Sequence, residues 1–173
     1  MPTSERSGLN FRGADLAGSR LTAGNFTRAT LAGAKLNNTY SNRAYFFETD
    51  LSGASLENGY FSGSNFRGAN FVGANLGAAR LSLDEEGYTT TFDDAQFDGA
   101  MLRGADFFGA QLPGASLTNC DLDGANLGDS DLRGADFSNS NLSGVNLTGA
   151  MVDGALLSTA RNVDLTGAVG VPK

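Results

Sequence analysis

Large apolar residues recur at every fifth position of this chain. In "FRGADLAGSRLTAGNF" (11–26) they are Phe11, Leu16, Leu21 and Phe26. Helices space such residues by about 3 to 4 and half-buried strands by about 2, so neither element accounts for the pattern. The frame runs on through Leu31, Leu36, Ser41, Phe46, Leu51, Leu56, Phe61, Phe66, Phe71, Leu76 and Leu81, with Ser41 its one small member. It slips in "SLDEEGYTTT" (82–91) and resumes at Phe92 and Phe97, continuing to Val152 and Leu157. Two residues before most central positions stands a small one, as at Ala14, Ala34, Ala54, Ala95 and Ala105. Glycine often closes the unit, as at Gly13, Gly33, Gly53, Gly104 and Gly134, where a chain turns most readily.

A short unit repeated this often predicts a solenoid, in which each unit buries its apolar face only by stacking on copies of itself. With 24 glycines but 40% hydrophobic residues in regular positions, the chain is no flexible linker. A second, longer period sets the number of sides. Phe26, Phe46 and Phe66 are 20 apart, as are Tyr40 and Tyr60, so four five-residue sides make one turn. Phe107 lies 41 beyond Phe66. Two turns of 20 plus one would give that interval, so the expectation is one inserted residue within 82–91 and an internal ladder Phe26, Phe46, Phe66, Phe107.

The segments "ADLAG", "ANFVG", "ANLGA", "ADFFG", "ANLGD" and "ADFSN" resemble the pentapeptide-repeat family, whose motif is A(D/N)LXX, over roughly residues 9–157. The resemblance implies an all-β fold: a right-handed parallel quadrilateral β-helix of about seven coils of four pentapeptides, a rod roughly 35 Å long at ~4.8 Å per coil. The expected organisation is an N-terminal lead over 1–8, the β-helix over 9–157 with a loop insertion at 82–91, and a short C-terminal cap or tail over 158–173. The unpaired backbone edges at the two ends admit an end-to-end homodimer.

The chain has no histidine and one cysteine. That removes imidazole-based nucleophile arrangements and zinc sites, and leaves carboxylates as the acid-base groups. Pairs such as Asp121 with Asp123 and Asp129 with Asp131 sit where the repeat itself places Asp, pointing to solvent. The calcium nonapeptide "GGxGxDxUx" does not occur, and the glycines follow the five-residue register, not a phosphate loop. Cys120 occupies the small inward slot and reads as a core thiol. The expectation is no enzyme, no cofactor and no metal. "MPTSERSGLNF" has no signal-peptide core and no apolar run reaches membrane-spanning length. The chain as written reads as soluble and cytoplasmic, and a processed lumenal or periplasmic form would look the same.

Function therefore falls to the surface. In the 20-residue register Arg20, Tyr40, Tyr60 and Arg80 form one outward column, with Tyr45 and Phe47 around the next corner. Arg and Tyr dominate interface hot spots, and stacked rings flanked by guanidinium groups also stabilise a β surface by themselves. The loop, with Asp84, Glu85, Glu86 and Tyr88, is expected to protrude as a mobile acidic finger. Arg20, Tyr40, Tyr45, Phe47, Tyr60, Arg80, Glu85, Glu86 and Tyr88 are the candidate protein-binding surface of a scaffold.

Charge is uneven: residues 1–83 carry 8 basic and 5 acidic groups, +3, and residues 84–173 carry 4 and 14, −10, summing to −7. The family includes DNA mimics that occupy type II topoisomerases and confer quinolone resistance, and Asp121, Asp123, Asp129 and Asp131 are the candidate mimic residues. About 10 charges over ~18 Å match duplex DNA, which carries one per ~1.7 Å. Against this, the carboxylates fall on all four sides and acidity also serves solubility. Direct nucleic-acid binding is excluded by a pI near 4.4.

Overall fold

The computed structural model describes residues 8–171, so most of the expected lead 1–8 and the last two residues lie outside it. Each pentapeptide forms one side of a four-sided coil. The residue before each central position makes a parallel bridge to its equivalent one turn on, and four such ladders run the length of the rod. The ladder on face 1 reads Asn10, Thr30, Asp50, Asn70, Gln96, Ser116, Asp136, Leu156. Face 2 starts at Asp15, face 3 at Arg20 and face 4 at Asn25.

The backbone amides account for the motif. Around Leu36, the Lys35 amide donates to Ala14 of the coil before, and the amides of Leu36 and Asn38 donate to Ser55 and Glu57 of the coil after. The Thr39 amide closes a local turn onto the Leu36 carbonyl. Four of five N–H groups are thus used by the backbone in most units of the inner coils. The fifth, just after the central residue, is left over. Asp or Asn before the central residue accepts it in an Asx turn, as Asn70 does for Val72 (3.0 Å) and Asp136 for Ser138 (2.8 Å). The residue following that amide takes positive φ, 65° at Gly73, the conformation a type II turn needs at its third position.

Inside, the central residues and the small residues two before them form one core; from Leu31 to Leu132 nearly all central side chains are fully buried. Phe26, Phe46, Phe66 and Phe92 stack on face 4 with centroids 5.1, 4.7 and 5.1 Å apart. The expected ladder thus holds through Phe66 and is then corrected: Phe92, not Phe107, comes next. Arg80 bridges Asp106, so Phe107 belongs to face 3, above Leu81. The bridges Asn65–Thr91 and Arg80–Asp106 are each 26 apart, so the detour holds six extra residues (26 − 20), not one. At the small central Ser41, the rings of Phe46 and Phe61 meet edge to face at 6.1 Å. Beyond Leu157 the chain keeps coiling: Asn141 bridges Arg161, Met151 bridges Val169, and Val163, Leu165 and Ala168 pack half-buried against the core.

Candidate functional site

Along face 3 the first four coils depart from the repeat. Their ladder residues are Arg20, Tyr40, Tyr60 and Arg80, where Asp or Asn would cap the turn, whereas the later coils return to Asp106, Asn126 and Asn146. Asp106 and Asn126 cap Phe108 and Gly128. Among the described residues nothing accepts the amides of Thr22, Asn42, Ser62 or Ser82. The column gains a different order instead. The rings of Tyr40 and Tyr60 stack at 4.9 Å, Arg20 lies 5.9 Å from the Tyr40 ring and Arg80 lies 4.8 Å from the Tyr60 ring. Guanidinium groups cover both outer ring faces, so the column shows solvent its ring edges, phenol hydroxyls and guanidinium edges.

The insertion leaves the coil at the corner between faces 3 and 4. It is folded down onto the rod, not extended as a mobile finger. Asp84 accepts from the amides of Glu86 (3.0 Å) and Tyr88 (2.8 Å), and its own amide donates to the Tyr88 carbonyl (2.9 Å). Arg43, on the corner two coils earlier, pairs with Asp84 at 2.5 Å and Glu86 at 2.7 Å, and its guanidinium carbon lies 4.7 Å from the Tyr88 ring. The Asp84 side chain is only 9% exposed. Burial by itself would raise its pKa, but the Tyr88 amide, the Arg43 guanidinium and the Glu86 amide hold it below the ordinary carboxylate value. Gly63 makes room: a Cβ there would stand 3.1 Å from an Asp84 oxygen and 3.2 Å from the Tyr88 Cβ.

The Tyr60–Arg80 end of the column and the loop enclose a groove of about 550 Å³, lined by Tyr60, Arg80 and Asp106 from the ladder, Asp84, Glu85 and Glu86 from the loop, and Asn42, Ser62 and Ser82 from the row beside the ladder; Arg20 and Tyr40 lie outside it. The Asn42 Oδ1 is enclosed and has no donor among the described residues. Glu85 and Glu86 thus come to the same place as the column, while Tyr88 sits across Arg43. Sequence reading missed that row, although the 20-residue register puts Thr22, Asn42, Ser62 and Ser82 in it. It also missed Arg43, whose partners are set by the loop's own fold. Tyr45 is 52% exposed on face 4, bridged to Asn25 and Asn65, and Phe47 lies 6.0 Å from the Arg28 guanidinium carbon. Neither joins the groove. No metal-ligand cluster occurs among the described residues, and no helix is long and apolar enough to cross a membrane.

The repeat unit and its cap are what the family model for pentapeptide repeats describes, and it matches in eight copies over residues 10–40, 25–59, 44–82, 90–119 and 120–158. The chain belongs to the pentapeptide repeat family. Pentapeptide repeat proteins fold as right-handed quadrilateral β-helices, in agreement with the four ladders. Solved relatives include HetL, involved in heterocyst differentiation regulation in the cyanobacterium Nostoc sp. strain PCC 7120 (25% identity over 88% of this chain and 84% of that one, TM-score 0.39). Another is a pentapeptide repeat protein of the Arabidopsis thaliana thylakoid lumen (28%, 60% and 68%, TM-score 0.46). Trypsin-treated QnrB1, a plasmid-mediated fluoroquinolone resistance protein, superposes with TM-score 0.55 at 17% identity over 94% of this chain and 80% of that one, a likeness of fold. No curated protein matches the sequence.

Within this pentapeptide rod the four candidate mimic aspartates do not form a stripe. Asp121 and Asp123 lie on face 2, where Arg103 pairs with both, at 3.8 and 2.5 Å. Asp121 also accepts from the Asn141 side chain at 3.0 Å. Asp131 lies on face 4, caps the Arg133 amide and accepts twice from the Arg133 guanidinium; that guanidinium holds its pKa low. Asp129 occupies a corner after face 3 with φ 53°.

Proposed function

We propose that this pentapeptide repeat protein is a non-enzymatic scaffold that binds a protein partner on face 3, between the Arg20–Tyr40–Tyr60–Arg80 column and the Asp84–Glu86 wall. The observation that carries this reading is the loss of the turn cap in four successive coils of one face. Each missing hydrogen bond forgoes roughly 0.5–1.5 kcal/mol, and the core has no use for the Tyr and Arg side chains put there instead. A rigid rod also holds such side chains in place before a partner arrives, which lowers the ordering cost of binding.

The test is affinity capture from lysate of the source with wild-type protein and the Tyr40→Ala, Tyr60→Ala double variant. The scaffold reading expects a partner whose capture weakens at least tenfold, about 1.4 kcal/mol, with the coil intact by circular dichroism. Full capture by the double variant overturns it.

The alternative is a DNA-mimicking inhibitor or protector of a type II topoisomerase, with QnrB1 as the fold relative that motivates it. Its weakness lies in the aspartates: Asp121, Asp123 and Asp131 each have an arginine at hand, and the four are spread over three faces. Gyrase supercoiling with and without quinolone tests it. An effect abolished by Asp→Asn at 121, 123, 129 and 131 would support mimicry, and no effect at tens of micromolar would end it.

A further inference from the structure

We infer that face 4 docks a second copy of this chain, the two rods lying side by side and antiparallel, with their register set by one row of side chains. That row lies just after the buried central residues and reads Phe47, Arg67, Asp93, Pro113, Arg133, Asp153, one residue per coil. It is its own complement about Pro113. One coil to either side stand Asp93 and Arg133, and two coils to either side stand Arg67 and Asp153, opposite charges each time. Three coils out both ends are apolar, with Tyr45 and Phe47 at one and the exposed Val169 and Val171 at the other. Among the described residues Arg67, Asp93 and Asp153 have no ion-pair partner, and Arg133 pairs with Asp131 of its own unit. The same row on face 3, Thr22, Asn42, Ser62, Ser82, Phe108 and Gly128, carries no charge.

A two-fold axis lying in the interface and crossing the rods at Pro113 reverses the order of coils and keeps each row opposite itself. Arg67 then meets Asp153 of the other copy, Asp93 meets Arg133, Pro113 meets Pro113, and Tyr45 and Phe47 meet Val169 and Val171. Every contact off the axis is made twice, as an isologous interface requires. Sliding one copy by a single coil sets Arg67 on Arg133 in one direction and Asp93 on Asp153 in the other, so the neighbouring registers repel. A parallel pair held level would set the charge of each coil against itself.

A net charge of −7 opposes the meeting of any two copies, but an antiparallel pair sets residues 1–83, at +3, beside residues 84–173, at −10. The edge between faces 4 and 1 is open to close approach, because Gly114, Gly134 and Gly154 hold three successive corners. The footprint from Tyr45 to Val169 is about 30 Å long, six steps of ~4.8 Å, and about 10 Å wide, three extended residues of ~3.3 Å. That is about 600 Å² in plan for both copies, below the ~1,200 Å² at which standard interfaces begin. The pair is therefore weak and concentration-dependent, helped by the small ordering cost of rigid rods. It leaves the face 3 column exposed and does not depend on the scaffold reading.

The experiment is sedimentation velocity of the full chain at low salt, from about 10 µM to about 1 mM, the range in which a weak pair dissociates. Monomer should give way to dimer, and added salt should weaken the dimer by screening its ion pairs. Arg67→Asp should raise the dissociation constant at least tenfold. Arg12→Asp, which makes the same change of charge on face 1, should leave it near wild type, and the swap Arg67→Asp, Asp153→Arg should recover most of what Arg67→Asp loses. Amide spectra of the wild-type protein need no variant: on dilution Phe47, Arg67 and Asp93 should shift while Thr22, Asn42 and Ser62 stay in place. A short bismaleimide should join Pro113→Cys to its mate and leave Ser62→Cys, on face 3, unjoined, the buried Cys120 taking no part. Monomer at every concentration, equal loss in Arg67→Asp and Arg12→Asp, a swap no better than Arg67→Asp, dilution shifts confined to other faces or to the rod ends, or cross-linking at 62 and not at 113 would each overturn the assignment.

Discussion

Phe66 stacks face to face on Phe92, centroids 5.1 Å apart and planes 3° apart, although an entire coil and the loop separate them along the chain. Phe66 also meets Phe46 at 4.7 Å, Phe61 at 5.8 Å and Phe71 at 5.3 Å. It is the hub of the aromatic core and is fully buried. Phe66→Ala should lower stability by about 3–5 kcal/mol, read from the denaturant midpoint. A loss below about 1 kcal/mol would be that of a surface residue.

The loop joins two stretches already in register, so the coil should close without it. Removing residues 84–89 restores the 20-residue interval between Asn65 and its bridge partner. Leu83 then falls at the corner position that needs positive φ, so the deletion is made with Leu83→Gly. The melting temperature should stay within a few degrees of wild type while Arg43 loses its partners. Global unfolding would make the loop part of the coil's structure.

Corner positions separate backbone strain from packing. Gly73 has φ 65° and a Cβ there would meet nothing within 4 Å, so Gly73→Ala should cost about 1–2 kcal/mol through conformation alone. Ala78 has φ 52° at an equivalent corner. Ala78→Gly should therefore be neutral or stabilising, opposite to the usual sign. Thermal melts of the two variants read the difference directly.

The core was legible in the sequence because a five-residue frame states which side chains face inward. It also gave the Tyr40–Tyr60 neighbours, since nothing interrupts their 20-residue interval. The length of the detour was not legible for an arithmetical reason: one inserted residue and six shift a five-residue frame by the same amount. Phe66 to Phe107 is one coil of 26 plus three sides of 5, and only the pairing of Asn65 with Thr91 distinguishes this from two coils and one extra residue. The groove was half legible. Tyr60 and Glu85 were read individually, but their meeting depends on Arg43 drawing Asp84 down, a contact between residues 41 apart.

Acid should release the loop. The folded-state pKa of Asp84 lies below its ordinary 3.8, so the ionised carboxylate favours the docked loop above the ordinary value, and that contribution is lost as pH falls through the folded value. Tyr88 resonances followed by NMR should change below pH 3.8. In Arg43→Gln, which removes one of the groups that lower the pKa, the transition should move upward. A Tyr88 signal with the same midpoint in both proteins would detach Arg43 from the clip.

Cys120 should be inert in the folded protein. Its side chain is buried, its thiol donates to the Phe97 carbonyl at 2.9 Å, and burial pushes its pKa up to about 12. A thiol reagent at pH 8 should label it only after unfolding, at a rate that follows the unfolded population. Rapid labelling of native protein would show that the coil opens there.

The six-residue detour at the corner after Leu81 leaves the rungs on both sides aligned, with Tyr60 on Arg80 before it and Arg80 on Asp106 after it. A corner is thus a place where the chain can leave its course and rejoin it with the rungs undisturbed. Gly33, Gly53, Gly73 and Gly104 mark corners of the same kind with open space above them. Each is a graft site on a ruler graduated in coils, and two grafts on one edge would be held at a separation set by the number of turns between them.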